Sequence, residues 1–320
     1  MALRVAATLK LADHIAGGLS TAKQLAGLLR VDPDALDRLL RHLDIVGVLV
    51  RDETGRCELT ERGRTLLADH PSRLGTLLDV EVGIGRADLS FVHLLHSIQT
   101  GEAAYPRMFG KGFWDDLASD PARTASYDAQ MGRDVAAWAP HIVAAYNWAT
   151  VGHVVDVGGG DGTLLAAMLR AYPSLRGTVF DQPQTAIEAN NTLAAAGLAQ
   201  RGDAVAGDFF GELPRGSGSY VLCAVLHDWN DQAARSILGR CAEAAGSAGK
   251  VFVIEKTGAR GESVSTEMDL RLLVYFGGRE RGVAELTELA LSAGLHVAAV
   301  HPAGDLSILE LDRCAEPQPD

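Results

Sequence analysis

The chain has 320 residues, of which 47% are hydrophobic and 22% charged, and its formal net charge is −12. This length exceeds what one hydrophobic core usually supports, so we expect two domains. The acidic charge argues against nucleic acid as a partner, because phosphate groups attract cationic surfaces. No apolar run reaches the roughly 18 residues of a transmembrane helix, so no membrane association is expected. The apolar N-terminus is interrupted by Lys10 and Asp13, which favours an amphipathic helix over a secretory signal.

The cysteines are scattered and show neither Cys-x-x-Cys nor metal-ligand spacing. They are Cys57, Cys223, Cys241 and Cys314. Few cysteines in a chain of this length are typical of reduced thiols rather than a disulfide framework. The composition therefore favours a cytoplasmic protein, and no metal site is predicted.

The first 75 residues predict a small, mainly helical domain. The pair Ser-Thr at 20–21 is a cap for one helix, and Asp32 with Pro33 opens a second. A polar turn at 52–55 between two short apolar runs is typical of a hairpin. Helix, helix and hairpin in this order indicate a winged helix.

Residues 76–148 are predicted to be mainly helical and hold many aromatic side chains, among which Trp114 is a candidate substrate contact. From 149 to 314, strand and helix patterns alternate, which predicts an α/β domain with a parallel sheet covered on both faces. The predicted strands are 153–157, 177–180, 204–206, 220–224, 250–254, 295–300 and 306–311. Because a short loop joins the last two, the sheet should end in an antiparallel strand. Residues 315–320 are predicted to form a flexible tail.

The most specific pattern is the run DVGGGDG, from Asp156 to Gly162, between a buried strand and a helix. Glycines such as Gly158 and Gly160 let the backbone turn tightly and let a ligand approach closely. A dinucleotide fingerprint would need a third glycine where Thr163 stands, and a phosphate loop would need a lysine. The acids of the turn would repel a pyrophosphate, but they suit the ammonium and sulfonium groups of S-adenosylmethionine.

Further acids follow the next two strands. Asp181 stands about 20 residues beyond the glycines, where a carboxylate can accept the ribose hydroxyls of a nucleoside. Asp208 could accept from the adenine amino group, and the ring of Phe209 could stack on the base. Each acid alone is more often a helix cap than a ligand. Acids at three successive strand ends favour a cofactor site, because open α/β sheets bind ligands at that edge.

A candidate general base follows the fourth strand of this domain, in the sequence His227-Asp228-Trp229. Glu255 ends the fifth strand, and Glu280 lies in the segment GGRER. Two carboxylates could hold the imidazole in one tautomer and stabilise its protonated form, as deprotonation of a phenol requires.

Taken together, the runs DVGGGDG, GDFF, HDW and GGRER resemble the caffeate-type, metal-independent O-methyltransferase family over nearly the whole chain. The resemblance implies a Rossmann-like S-adenosylmethionine-binding domain, an N-terminal winged-helix dimerisation domain and a homodimer. Within the family, the sequence is most similar to bacterial enzymes that methylate hydroxylated aromatic polyketides during antibiotic biosynthesis.

The resemblance also implies roles for individual residues. His227 would be the base, flanked by Glu255 and Glu280. The cofactor would be bound by Asp156, Gly158, Gly160, Asp181, Asp208, Phe209 and Cys223, with Cys223 standing where plant members have a lysine. Met131, Trp114 and Asp228 would contact the substrate, a small aromatic phenol such as a hydroxynaphthoate or an anthraquinone.

Two other functions fit parts of the sequence. A winged helix is common in DNA-binding regulators, but the reading helix here would carry three acids, which makes it a poor partner for phosphates. A family homologue could also use the cofactor for decarboxylation or hydroxylation instead of methyl transfer. The presence of His227 with both glutamates favours methyl transfer.

Overall fold

The computed structural model describes residues 1–215, 218–258 and 265–314. Its internal contacts divide the chain into two compact units, 1–92 with 107–127, and 93–106 with 128–320. The helical region that the sequence places between two domains is thus shared between these units. The predicted tail, 315–320, lies outside the described residues.

Helices are numbered here in chain order. They are α1 Ala2–Thr8, α2 Leu11–Ala16, α3 Ala22–Leu29, α4 Pro33–Ile45, α5 Glu61–Arg64, α6 Leu74–Leu78, α7 Gly83–Ala87, α8 Leu94–Thr100, α9 Tyr105–Phe109, α10 Phe113–Ala118, α11 Pro121–Ala145, α12 Thr163–Ala171, α13 Pro183–Ala195, α14 Asp231–Ala245, α15 Thr266–Phe276 and α16 Val283–Ser292. Short 3-10 turns lie at Asp88–His93, Trp148–Thr150 and Leu226–Asp228. Among the described residues, no helix is long and apolar enough to cross a lipid bilayer.

Strands are numbered in the same way. They are β1 Leu49–Arg51, β2 Cys57–Leu59, β3 His153–Val157, β4 Arg176–Asp181, β5 Gly202–Ala206, β6 Ser219–Cys223, β7 Val251–Lys256, β8 Leu295–Ala303 and β9 Leu306–Arg313.

Local capping explains the helices of the first unit. The Thr21 side chain accepts from the Gln24 N–H, and Gln24 accepts in return, which forms a capping box at the start of α3. Asp32 accepts from the Ala35 N–H, and Pro33 is the first helical residue of α4. The strands β1 and β2 then pair antiparallel, as predicted for a hairpin. The buried face of α4 carries Leu36, Leu40 and Leu43 at helical spacing.

The second unit contains a seven-stranded sheet in the order β5-β4-β3-β6-β7-β9-β8. Strands β3 to β7 are parallel, whereas β9 pairs antiparallel with both β7 and β8. The predicted mixed α/β sheet with an antiparallel end is therefore confirmed. Both faces are buried: Val154 belongs to one apolar layer with Leu165, and Val155 belongs to the other with Ile237.

This topology fixes where polar side chains meet. The parallel strands β4, β3, β6 and β7 are neighbours, so their carboxyl ends share one edge of the sheet. At this edge, the glycine turn follows β3, Asp181 ends β4, Cys223 ends β6, and Glu255 is the penultimate residue of β7. The crevice outside such strand ends is where open α/β sheets bind ligands.

Candidate active site

The turn between β3 and α12 has a backbone that needs glycine. Gly158, Gly160 and Gly162 have φ angles of 70°, 58° and 78°, in the left-handed region where a Cβ is strained. The Gly158 N–H donates to Phe180 O at 2.8 Å, which ties the turn to β4. A Cβ at Gly158 would also lie 2.9 Å from Val225 Cγ2. The turn is thus fixed at Gly158, whereas a Cβ at Gly160 would meet no atom within 4 Å, so this part of the turn is accessible to a ligand.

Asp156 lies beneath this turn and is 1% exposed. Neither of its carboxylate oxygens has a hydrogen-bond partner among the described residues. Burial raises the pKa of Asp156 to about 7, and the nearby carboxylates of Asp181 and Asp161 add to this shift. A buried, unpartnered acid surrounded by other acids fits a ligand that brings positive charge, and S-adenosylmethionine carries two cationic groups.

Asp181 ends β4 and supports the glycine turn directly. Its Oδ2 accepts from the Gly160 N–H at 2.9 Å, and its Oδ1 accepts from the Gln182 N–H at 2.7 Å. Burial raises its pKa, and these two hydrogen bonds oppose that shift. Asp181 is therefore held at the turn, as its predicted ribose-binding role requires.

The residues predicted to hold the adenine follow β5. Asp208 accepts from the Phe210 N–H at 2.9 Å, which forms a tight turn. The Phe209 ring lies 3.7 Å from the point where a Cβ on Gly158 would stand, so it faces the glycine turn. Cys223 ends β6 and is buried near Asp156 and Glu255, and burial raises its pKa well above the usual value. The structure brings these residues to one edge of the sheet, and their individual contacts with a cofactor remain predictions.

His227 lies in the 3-10 turn after β6. Its Nδ1 is 3.0 Å from Glu255 Oε2, and its Nε2 is 3.5 Å from Asp228 Oδ1. The Nδ1 contact is at ion-pair distance but is not aligned as a hydrogen bond. Glu255 is fixed from its other oxygen, since Oε1 accepts from the Leu226 N–H at 3.0 Å.

Charge around His227 makes it a strong base. Burial alone lowers the pKa of His227, but the carboxylates of Glu255, Asp228 and Glu280 outweigh it and raise the pKa to about 10. Burial raises the pKa of Asp228 to about 7 and also raises that of Glu280. These carboxylates therefore stabilise the imidazolium that forms when the neutral imidazole accepts a proton.

Arg281 holds the backbone on which His227 stands, a role that our sequence analysis missed. It is 3% exposed and donates to Leu226 O and to Trp229 O, each at 2.8 Å. Its guanidinium also bonds the Asp231 carboxylate at 2.7 Å. Arg281 thus donates hydrogen bonds to the carbonyl groups of the two residues that flank His227 and Asp228. The motif GGRER contains this arginine directly after Glu280, and the sequence alone predicts a role only for Glu280.

The predicted substrate residues lie in different parts of the fold. Met131 lies on α11, beside Gly132, whose position leaves no room for a Cβ against the Asp161 carboxylate. Trp114 belongs to the first unit, where its ring packs edge-on against Phe113 at a centroid distance of 5.1 Å. The substrate roles of both residues remain predictions.

The ranges 1–215, 218–258 and 265–314 contain no group of three or more His, Cys, Asp or Glu arranged to hold a metal ion.

Comparison with known proteins shows similarity over nearly the full length. The chain is 52% identical to the 2,7-dihydroxy-5-methyl-1-naphthoate 7-O-methyltransferase of Streptomyces carzinostaticus, covering 97% of this chain and 93% of that protein. It is 42% identical to an aclacinomycin 10-hydroxylase of Streptomyces purpurascens, covering 99% of this chain and 88% of that protein.

A solved structure is similar as well. It is an O-methyltransferase from neocarzinostatin biosynthesis in complex with S-adenosylmethionine and 2-hydroxy-5-methyl naphthoic acid. The TM-score is 0.91 at 51% identity, covering 98% of this chain and 95% of that one.

Family comparison assigns both parts of the chain. Residues 1–69 match the O-methyltransferase dimerisation domain, and residues 91–296 match the O-methyltransferase domain. The second match covers more than half of the chain, and it agrees with the relatives above. The family predicted from the motifs is confirmed: the chain belongs to the S-adenosylmethionine-dependent O-methyltransferases.

Proposed function

We propose that this protein transfers the methyl group of S-adenosylmethionine to a phenolic hydroxyl of a hydroxynaphthoate-type aromatic intermediate, with His227 as general base. The observation that carries the proposal is the His227 imidazole between the carboxylates of Glu255 and Asp228, at the strand edge that bears the glycine turn. The 52% identical relative, a naphthoate O-methyltransferase, supports the substrate class.

The bound cofactor supplies an electrophilic methyl group on a sulfonium. The acids around the glycine turn, Asp156, Asp161 and Asp181, would hold its cationic and ribose parts. Holding the phenol oxygen and the methyl group in attack geometry can contribute about 7–11 kcal/mol to the lowering of the barrier.

His227 then accepts the phenolic proton on Nε2. Glu255 faces Nδ1 and stabilises the imidazolium that forms. A simple phenol has a pKa of about 10, so it needs a base to lose its proton near neutral pH. The carboxylates that raise the pKa of His227 make its neutral imidazole a better proton acceptor. Transfer of the proton to the neutral imidazole would leave a phenolate oxygen, which is the nucleophile that methyl transfer requires. General base catalysis of this kind contributes about 10²–10⁴-fold.

The hydroxylase relative makes one other reaction a specific alternative. A chain that is 42% identical to this one is an aclacinomycin 10-hydroxylase, so hydroxylation is the alternative reaction. The arrangement of His227 with Glu255 and Glu280 favours methyl transfer, because these carboxylates stabilise the protonated imidazole that deprotonation of a phenol leaves.

A DNA-binding role is less well supported by the first unit. On α4, Arg38 pairs with Asp34 at 2.6 Å and Arg41 pairs with Asp37 at 3.1 Å. These arginines already face carboxylates of their own helix, which weakens any attraction to phosphate. The acidic net charge of −12 also weakens any attraction to DNA.

The substrate proposal is tested with a panel of acceptors and isotope-labelled S-adenosylmethionine. Hydroxynaphthoates should be methylated with a higher kcat/KM than hydroxybenzoates or anthraquinones. If an anthraquinone or a benzoate is the best acceptor, the substrate class is wrong although the reaction type stands. If no phenol in the panel accepts the label, methyl transfer itself is in question.

Cofactor binding should release protons. Asp156 has a pKa of about 7 in the unliganded protein, and a bound cation favours its ionised form. We therefore expect affinity for S-adenosylmethionine to rise as pH increases through about 7, with net proton release in calorimetry in buffers of different ionisation enthalpy. The contribution of Asp156 to the free energy of unfolding should fall as pH rises from the ordinary aspartate pKa of 3.8 to about 7, because in this pH range the folded state keeps a proton that the unfolded state has lost. Proton uptake on binding would contradict this assignment.

We also propose a homodimer formed through the first 75 residues. The match of residues 1–69 to a dimerisation domain supports this. Several apolar side chains of this region are exposed, among them Leu28 at 54% and Ile45 at 84%. Light scattering at micromolar concentration should give twice the mass of the chain, 33.8 kDa. A monomer mass would contradict the proposal.

We propose a cytoplasmic location because the cysteine thiols are free. All four cysteines are free, three of them buried and Cys314 exposed. Free thiols persist in reducing compartments.

A further inference from the structure

We propose that Asp128 is a further cofactor-positioning residue: its carboxylate, presented by α11 at the glycine turn, helps to bind the cationic part of S-adenosylmethionine. The inference rests on the proposed function and deepens it. The sequence alone does not predict a role for Asp128. It lies 28 residues before Asp156, where the glycine run begins, and it belongs to no chemical motif of its own.

The packing of α11 places Asp128 at the turn. Gly132 sits so close to the Asp161 carboxylate that a Cβ there would clash with Oδ2. Asp128 is one helical turn before Gly132 and therefore lies on the same face of α11. The absence of a side chain at Gly132 is what lets this face approach the turn.

A long hydrogen bond gives the carboxylate a second contact. The Thr185 hydroxyl donates to Asp128 Oδ2 at 3.4 Å. Thr185 is in the first turn of α13, which begins directly after Asp181 and Gln182. Asp128 is therefore held between the glycine turn and the end of β4, the two segments predicted to hold the cofactor.

The surroundings of Asp128 are those of a cation site. Its charged neighbours are Asp181 at the end of β4, Asp161 in the turn and Glu188 on α13, all acidic. In the described part of the chain, none of these acids, nor Asp156, is ion-paired with a lysine, arginine or histidine. Burial first, and then Asp181, raise the pKa of Asp128 to about 7, which shows the cost of its negative charge.

Asp156 gives independent evidence for a ligand at the same place. It is buried beneath the turn, and both its oxygens lack a hydrogen-bond partner among the described residues. A Cβ at Gly159 would lie 2.6 Å from Asp156 Oδ2, so this carboxylate is directed at the turn. Buried carboxylates without partners destabilise a fold unless a ligand supplies the missing interaction. Asp128 adds a further acidic side chain near the turn, with Asp181 and Asp161 among its charged neighbours.

The test is the variant Asp128→Asn, which keeps the shape and can still accept from Thr185. Above the pKa of about 7, removal of a repelled charge should raise the melting temperature of the ligand-free protein. The same change should weaken S-adenosylmethionine binding about tenfold, as expected for loss of one charge-assisted contact. These opposite signs distinguish cofactor binding from a structural role.

The matched control is Asp134→Asn. Asp134 also lies on α11, and burial also raises its pKa, but its charged neighbours are Arg133 and Lys256. This variant should not raise the melting temperature and should bind the cofactor as the native protein does.

Unchanged cofactor affinity in Asp128→Asn would overturn the proposal, as would a loss of affinity accompanied by lower stability of the ligand-free protein or by failure to fold. If the native protein itself does not bind S-adenosylmethionine in the same calorimeter, the proposed function fails instead.

Discussion

Substitution of His227 by glutamine is expected to lower turnover by about 10²–10⁴-fold. Glutamine keeps a polar side chain of similar length but cannot accept a proton and hold it as a cation. Because the imidazole contacts Glu255 and Asp228 rather than the glycine turn, affinity for S-adenosylmethionine should stay within twofold, an expectation of about 0.4 kcal/mol at most. The loss should shrink for phenols of lower pKa, since these need less help to lose the proton. Steady-state kinetics over a series of acceptors measures how the loss of turnover depends on the pKa of the phenol.

The control is His301→Gln. His301 Nε2 lies 3.0 Å from Glu310 Oε2, so it is also paired with a glutamate in the second unit, but it stands on β8 at the far end of the sheet order. Turnover of that variant should be native. Chelation of metal ions with EDTA should leave the native rate unchanged if the reaction is metal-independent, as predicted. Near-native turnover of His227→Gln would show that His227 is structural.

Substitution of Asp181 by alanine is expected to weaken S-adenosylmethionine binding at least tenfold, or about 1.4 kcal/mol. Two effects add here. The predicted contact with the ribose hydroxyls is lost, and the N–H groups of Gly160 and Gln182 lose their acceptor, which loosens the turn. Calorimetric titration of the folded variant measures the change.

Asp203→Ala is the matched control for this variant. Asp203 lies on the neighbouring strand β5 and accepts from the Thr178 hydroxyl at 2.7 Å. In the sheet register, Thr178 pairs with Asp203 toward the start of both strands, whereas Asp181 is the last residue of β4. Loss of Asp203 should leave cofactor affinity unchanged. If Asp181→Ala binds as the native protein does, Asp181 does not belong to the cofactor site.

The elements that local chemistry determines could be predicted from the sequence. The cap at Thr21, the Asp32-Pro33 start of α4 and the final strand pair follow from neighbouring residues, and all three are present. The glycine turn could be placed because a buried strand and a helix flank it. Acids at strand ends could be grouped because parallel strands bring those ends together.

What could not be predicted depends on tertiary packing. The order of strands in the sheet joins β3 to β6, which are about 60 residues apart, and no local pattern encodes that pairing. Arg281 acts on the backbone of Leu226 and Trp229 across the fold. Asp128 lies on the face of α11 that approaches Asp161, where Gly132 has no side chain. Each of these contacts becomes visible only in three dimensions.

The most direct test of the account is the product formed by the native protein from a hydroxynaphthoate and S-adenosylmethionine with an isotope-labelled methyl group. We predict a single product that carries the label as an aryl methyl ether, together with stoichiometric S-adenosylhomocysteine, identified by mass spectrometry and nuclear magnetic resonance. A product that has gained a hydroxyl group or lost its carboxyl group without acquiring the label would contradict methyl transfer.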